Sequence, residues 1–142
     1  MWHDKQYGAA LAAAPFFWLL LYILAGPSID WNWPLQRPVA FLLPVLIYVV
    51  LEEAAFRGWL QGLLFEKTWG KATWCGISRA NLVTSLVFVA CHFLYHPPLW
   101  ATAVFGPSLL FGYFRDSYGS ITPSVVLHVF YNAGYFWLFG LS

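Results

Sequence analysis

Apolar residues run in long blocks along this chain, and proline, glycine and charge mark off five of them. A membrane-spanning helix needs about 20 predominantly apolar residues. The first block, 8–25, has that length and ends at Gly26-Pro27. The second, 39–65, is long enough to span with tilt, and Pro44 is placed to kink it. Blocks at 80–95, 99–114 and 123–139 follow, the fourth interrupted by Gly106-Pro107 and the fifth opened by Pro123 in a first helical turn. The connection 27–38 is rich in proline and tryptophan, as expected along a headgroup interface. This pattern predicts an all-α protein: a polytopic membrane bundle of about five transmembrane helices in one domain over 1–142.

Composition agrees. The 142 residues are 61% hydrophobic, 21% aromatic and only 9% charged, with a mean hydropathy of +0.64, whereas soluble domains carry about 25% charged residues. A net charge of +1 argues against nucleic acid and acidic partners. The first block has no small-x-small cleavage site and is expected to be retained. Cys75 and Cys91 fall in a loop and a helix, so neither a disulfide nor a metal knuckle is expected. With five spans, Lys5, Lys67, Lys71, Arg79 and Arg115 share one side against Arg37 on the other. That bias places the amino terminus in the cytoplasm, most simply at a bacterial inner membrane.

Candidate chemistry begins where the pattern breaks. Within 41–65 the only formal charges are Glu52, Glu53 and Arg57. A charge at bilayer depth costs at least about 2.5–3.5 kcal/mol and usually marks a function. Glu53 and Arg57 are four residues apart in the favourable order for a helical ion pair. Glu52 is rotated about 100° away and points elsewhere. The third block supplies Phe88-x-x-x-His92 and the fifth His128-x-x-x-Asn132. Each is weak alone, since membrane histidines bond backbone and polar stripes hold helices together without chemistry.

Together and in order, these motifs resemble those of the CPBP family, the type II CAAX prenyl endopeptidases and bacteriocin-processing membrane proteins: E-E-x-x-x-R at Glu52, Glu53 and Arg57, F-x-x-x-H at Phe88 and His92, H-x-x-x-N at His128 and Asn132. Gly58 and the approach FGYFRDSYGSITPSVVLH are similar too. The resemblance covers about 39–139 and leaves 8–25 as an added helix. It implies an intramembrane endopeptidase that cuts near the carboxyl terminus or membrane anchor of a peptide or protein in the bilayer. Glu52 would take the water's proton, His92 would position that water, and His128 and Asn132 would hold the oxyanion, with Glu53, Arg57 and Phe88 in support.

No cofactor is expected on this reading. The alternative is a zinc-dependent form of the same protease, with Glu52, His92 and His128 as ligands, although no H-E-x-x-H is present. A non-catalytic membrane immunity or scaffold protein, or a small transporter, would use the same residues differently. One tension accompanies the assignment. With these boundaries His128 lies about 7–8 Å along its helix and His92 about 18 Å along its own. A shared site therefore leads to the expectation that the last helix starts earlier, near Ser117.

Overall fold

The computed structural model describes residues 4–26 and 28–140. Helix α1, Lys5–Ala25, starts where the Asp4 carboxylate accepts the backbone N–H groups of Gln6 at 2.8 Å and Tyr7 at 3.3 Å. It ends at Gly26, whose φ of 54° closes the helix in the left-handed region that glycine reaches without steric cost. A short helix α2, Trp33–Gln36, follows, and then α3, a continuous helix over Pro38–Phe65. Two turns of α3, Leu43–Ile47 and Ala54–Leu60, are π-helical. The first contains Pro44, which lacks an N–H and crowds the carbonyl one turn back; a widened turn relieves that crowding.

Beyond α3, strands β1 (Thr73–Trp74) and β2 (Ile77–Ser78) pair antiparallel. Their two-residue turn has positive φ at both Cys75 (51°) and Gly76 (81°), which matches the right-handed twist of a hairpin. Helix α4, Arg79–His92, is capped by Ser78, whose hydroxyl accepts the Asn81 N–H at 2.9 Å. Helices α5 (Pro98–Ala103), α6 (Phe105–Tyr118) and α7 (Thr122–Phe139) complete the chain. All but the small hairpin is helix or connection, so the all-α expectation holds.

The chain divides into two compact units, Met1–Val50 with Val126–Ser142, and Leu51–Val125. In the first, α1 buries Tyr7, Ala10 and Ala14, a one-face spacing. The Tyr131 hydroxyl donates to the Ala10 carbonyl at 2.9 Å. Gly134 lies against the Trp18 indole so closely that a Cβ there would overlap the ring. The Trp33 indole N–H donates to the carbonyls of Phe136 (3.1 Å) and Trp137 (3.2 Å), near the end of α7, where helical carbonyls lack partners.

In the second unit polarity is inverted. Arg57, Gln61, Asn81, Thr84, Ser85, Ser108 and Ser124 are fully buried, while Leu51 (62%) and Trp59 (66%) are exposed. Large apolar residues are also exposed on α1, where Phe16 and Leu24 are each 73% exposed. An apolar exterior over a polar interior is what a hydrocarbon solvent selects. Among the described residues two stretches are long and apolar enough to cross a membrane, Lys5–Leu24 and Pro38–Phe65.

Two expectations need correction. The last helix starts at Thr122, not near Ser117, which belongs to the final turn of α6. The left-handed Gly119 (φ 62°) ends α6 and prevents the two helices from merging. Arg115, counted among loop charges, lies inside α6 with its side chain only 17% exposed. It is held by a carboxylate and a backbone carbonyl rather than solvent.

Ser78 is a junction, because its hydroxyl also donates to Asp116 Oδ2 at 2.6 Å. Ser78→Ala removes the cap and the bridge together and should destabilise the protein by about 1–3 kcal/mol. Thermal unfolding followed by circular dichroism in detergent will report it.

Candidate functional site

Glu53, Arg57 and Gln61 recur every four residues along α3, and all three are fully buried. The side chains form a column because residues four apart lie on one helical face. Arg57 Nη1 is 3.3 Å from Glu53 Oε1. Its Nη2 donates to the Ser108 hydroxyl at 2.8 Å and the Ser108 carbonyl at 3.2 Å. The guanidinium lies over the Phe88 ring at 4.5 Å, with Phe111 at 5.7 Å. Aromatic faces attract a cation, by about 2 kcal/mol or more when it is desolvated. Charge, the hydrogen bonds of Nη2 and the ring faces thus replace part of the water this arginine lacks, Nε and Nη1 making no hydrogen bond among the described residues.

One turn further, Gln61 Nε2 donates to the Gly112 carbonyl and to Asp116 Oδ1, both at 2.9 Å. Gly112 is required by this approach. A Cβ there would overlap the Asn81 amide and come within 2.8 Å of Gln61 Oε1. Asn81 itself donates to the Leu109 carbonyl at 2.8 Å and accepts from Ser85 at 3.1 Å. Arg115 Nε donates to the Arg57 carbonyl at 3.1 Å, and its Nη1 donates to Asp116 Oδ1 at 2.9 Å. Arg57 is therefore gripped at its side chain by Ser108 and at its backbone by Arg115, both from α6.

His92 closes the last turn of α4. Its Nδ1 lies 2.9 Å from the Phe88 carbonyl. A carbonyl only accepts, so Nδ1 carries the hydrogen and donates. In the neutral ring Nε2 is then the acceptor. The ring packs on Phe88 at 4.4 Å, and Phe88 meets Phe56 edge-on at 5.0 Å. Contacts thus run from Glu53 through Arg57 and Phe88 to His92. Glu52, half-buried, precedes Glu53 in the same unit.

His128 and Asn132 stand one turn apart on α7 in the other unit. His128 is buried. Asn132 Nδ2 donates to the Pro44 carbonyl at 3.2 Å, inside the widened turn of α3. One amide N–H is therefore committed to the helix, and the second is the one with which the side chain could meet a ligand. The zinc donor set Glu52, His92 and His128 is divided between the two units. Among the described residues no three His, Cys, Asp or Glu side chains gather into a group that could hold a metal ion.

Ser108, Gln61, Arg115, Asp116 and His96 were not among the sequence-derived candidates. Except for Arg115, their signal was the four-residue step itself: Gln61 continues Glu53 and Arg57, Asp116 follows Gly112 and Ser108, and His96 follows His92.

A helical chain with an apolar exterior, a fully buried ion pair and a histidine held in one tautomer beside it is an integral membrane protein with an internal polar site. Residues 32–134 match the family model described as type II CAAX prenyl endopeptidase Rce1-like, and the chain belongs to that family. It is thereby placed among the CAAX-type proteases of the CPBP group, intramembrane endopeptidases that act on protein or peptide substrates in a lipid bilayer. No curated protein and no solved structure matches the chain.

Breaking the ion pair should be more damaging than removing it whole. Arg57→Ala or Glu53→Gln alone should cost about 3–5 kcal/mol, whereas Glu53→Leu with Arg57→Met should recover most of that loss. Chemical unfolding of the singles and the double in detergent will decide. Gly112→Ala should cost about 1–3 kcal/mol through the displaced Asn81 amide.

Proposed function

We propose that the protein is a glutamate-dependent intramembrane endopeptidase in which Glu52 is the general base and His92 positions the attacking water. The observation that carries this reading is the tautomer of His92. With Nδ1 donating to the Phe88 carbonyl, Nε2 is the accepting nitrogen of the neutral ring, the role that positioning a water through its O–H requires. Glu52 takes the water's proton as oxygen attacks the peptide carbonyl, and returns it to the leaving amine. His128 and the second N–H of Asn132 stabilise the oxyanion. Glu53 and Arg57 hold α3 in place, and Phe88 carries both Arg57 and His92.

The same reading takes the chain as one protease domain with about five transmembrane helices. Its amino terminus is cytoplasmic, in a bacterial inner membrane. The substrate is a peptide or protein cut near its carboxyl terminus or membrane anchor.

General acid–base catalysis contributes about 10²–10⁴-fold. Glu52→Gln and His92→Ala should therefore lower cleavage of a membrane-anchored CAAX peptide in liposomes by at least about 100-fold, with unfolding temperatures near wild type. Equal cleavage by all three proteins would sink the assignment. Activity that survives exhaustive chelation supports the metal-free form; loss reversed by zinc alone reinstates the zinc form.

A further inference from the structure

We propose that the connection between α3 and α4 is a docking surface for anionic phospholipid headgroups. Residues 66–79 set Lys67, Lys71 and Arg79 against a single acid, Glu66, a net charge of +2 in a chain whose total is +1. All three basic residues are exposed, and none pairs with a carboxylate among the described residues. The same stretch exposes two indoles, Trp69 (45%) and Trp74 (82%). Tryptophan with basic residues is the composition of a membrane–water interface, where the ring lies at headgroup level and the cation meets phosphate.

The fold turns these groups outward. Across the hairpin Trp74 pairs with Ile77 and Thr73 with Ser78. Paired residues share a face and neighbours alternate. Ser78 is buried and bonds Asp116, so its face is turned to the helices and Trp74 stands on the opposite one. The connection is also braced in advance. The Gly70 N–H donates to the Lys67 carbonyl and the Arg79 N–H to the Ala72 carbonyl, both at 2.9 Å, and the Ala80 N–H donates to the Gly70 carbonyl at 3.1 Å. A Cβ on Gly70 would overlap the Leu64 carbonyl, so the turn after α3 is closed tightly. Little conformational freedom is then lost when the surface engages.

Depth and charge select the occupant. The 28 residues of α3, at about 1.5 Å each, reach about 42 Å, the thickness of a bilayer with its headgroup regions, about 40–45 Å. Glu66, the next residue, therefore emerges among headgroups. A zwitterionic headgroup offers no net charge to three cations, and a second copy of this chain would bring the same positive face against it. An anionic headgroup answers them. Its attachment would hold the junction of α3 and α4, the helices that carry Glu52 and His92, at a fixed depth. The surface exists whether or not the chain cleaves peptides.

The full chain carrying Cys91→Ser, labelled with an environment-sensitive fluorophore at the exposed Cys75 and reconstituted in liposomes, reports on the hairpin tip. Adding phosphatidylglycerol to phosphatidylcholine should shift the emission to the blue. Salt at 1 M, which shortens the screening length to about 3 Å, should reverse most of that shift. The triple variant Lys67→Gln, Lys71→Gln, Arg79→Gln should lose the phosphatidylglycerol response while melting near wild type, because the three side chains are exposed. In detergent, short-chain phosphatidylglycerol should bind it at least about tenfold more weakly than wild type, each basic residue near an anionic surface being worth about fivefold. Equal emission in the two kinds of liposome overturns the proposal. So does a phosphatidylglycerol response that the triple variant keeps or that 1 M salt leaves intact. A tip that stays in water in both lipids, while a bismaleimide joins two chains through Cys75, also overturns it and makes the face an interface between copies.

Discussion

Arg57 must keep its charge inside a chain whose outer surface is made for hydrocarbon. That constraint accounts for most of the second unit. An isolated guanidinium withdrawn from water is unfavourable by many kcal/mol, and a single carboxylate does not compensate unless further hydrogen bonds accompany it. Three kinds of partner meet the need here: the Glu53 carboxylate at 3.3 Å, the hydroxyl and carbonyl of Ser108, and the faces of Phe88 and Phe111. Glu53 comes from one turn earlier on α3, Phe88 from α4, and Ser108 and Phe111 from α6. Satisfying Arg57 therefore fixes how α3, α4 and α6 lie against one another within that unit.

Lipid gives helices no hydrophobic reason to associate, so close packing and polar contacts must do it. The contact between α3 and α6 shows both. Ser108 and Gly112 are small enough for backbone carbonyls to be reached by Arg57 and Gln61, and Asp116 joins Gln61 to the cap of α4 through Ser78. The widened turn Ala54–Leu60 carries Arg57, and Arg115 donates to the Arg57 carbonyl within it. Such π-helical turns frequently lie at functional sites. Here the widening and its outside donor occur at the residue that most needs holding.

Much of this was legible in residue order. The punctuation at Gly26 and Pro123 falls at or beside observed helix ends, and the Glu53–Arg57 spacing foretold the ion pair that forms. The motif matched to the family was readable because its residues are ionisable or aromatic where the surroundings are not. What stayed hidden depends on the third dimension. Ser108 and Gly112 carry no individual mark, since small residues in an apolar segment are common. Arg115 read as a loop charge because the polar run Arg115-Asp116-Ser117 resembles a solvent-facing connection. Instead it continues α6 for another turn, because Asp116, Gln61 and a carbonyl await those side chains. The hairpin at Cys75-Gly76 was missed because strands of two residues leave no periodic trace.

Two adjacent glutamates in one membrane helix pose a question that neither pairing nor burial answers separately. A helix turns about 100° per residue, so neighbours cannot share a partner with equal geometry. Glu53 takes the position four residues before Arg57 and is buried without exposed surface. Glu52 faces a different direction and remains half-buried. The two carboxylates thus have different environments: Glu53 is fully enclosed against Arg57, while Glu52 also feels that guanidinium but keeps part of its surface exposed. On the proposed mechanism that difference is the division of labour. A base must exchange protons with water and substrate, which a fully enclosed ion-paired carboxylate cannot do without losing its pair. Glu53 can be indispensable to Arg57 only by being unsuited to the chemistry, and Glu52 can serve the chemistry only because Glu53 has already met the arginine's need.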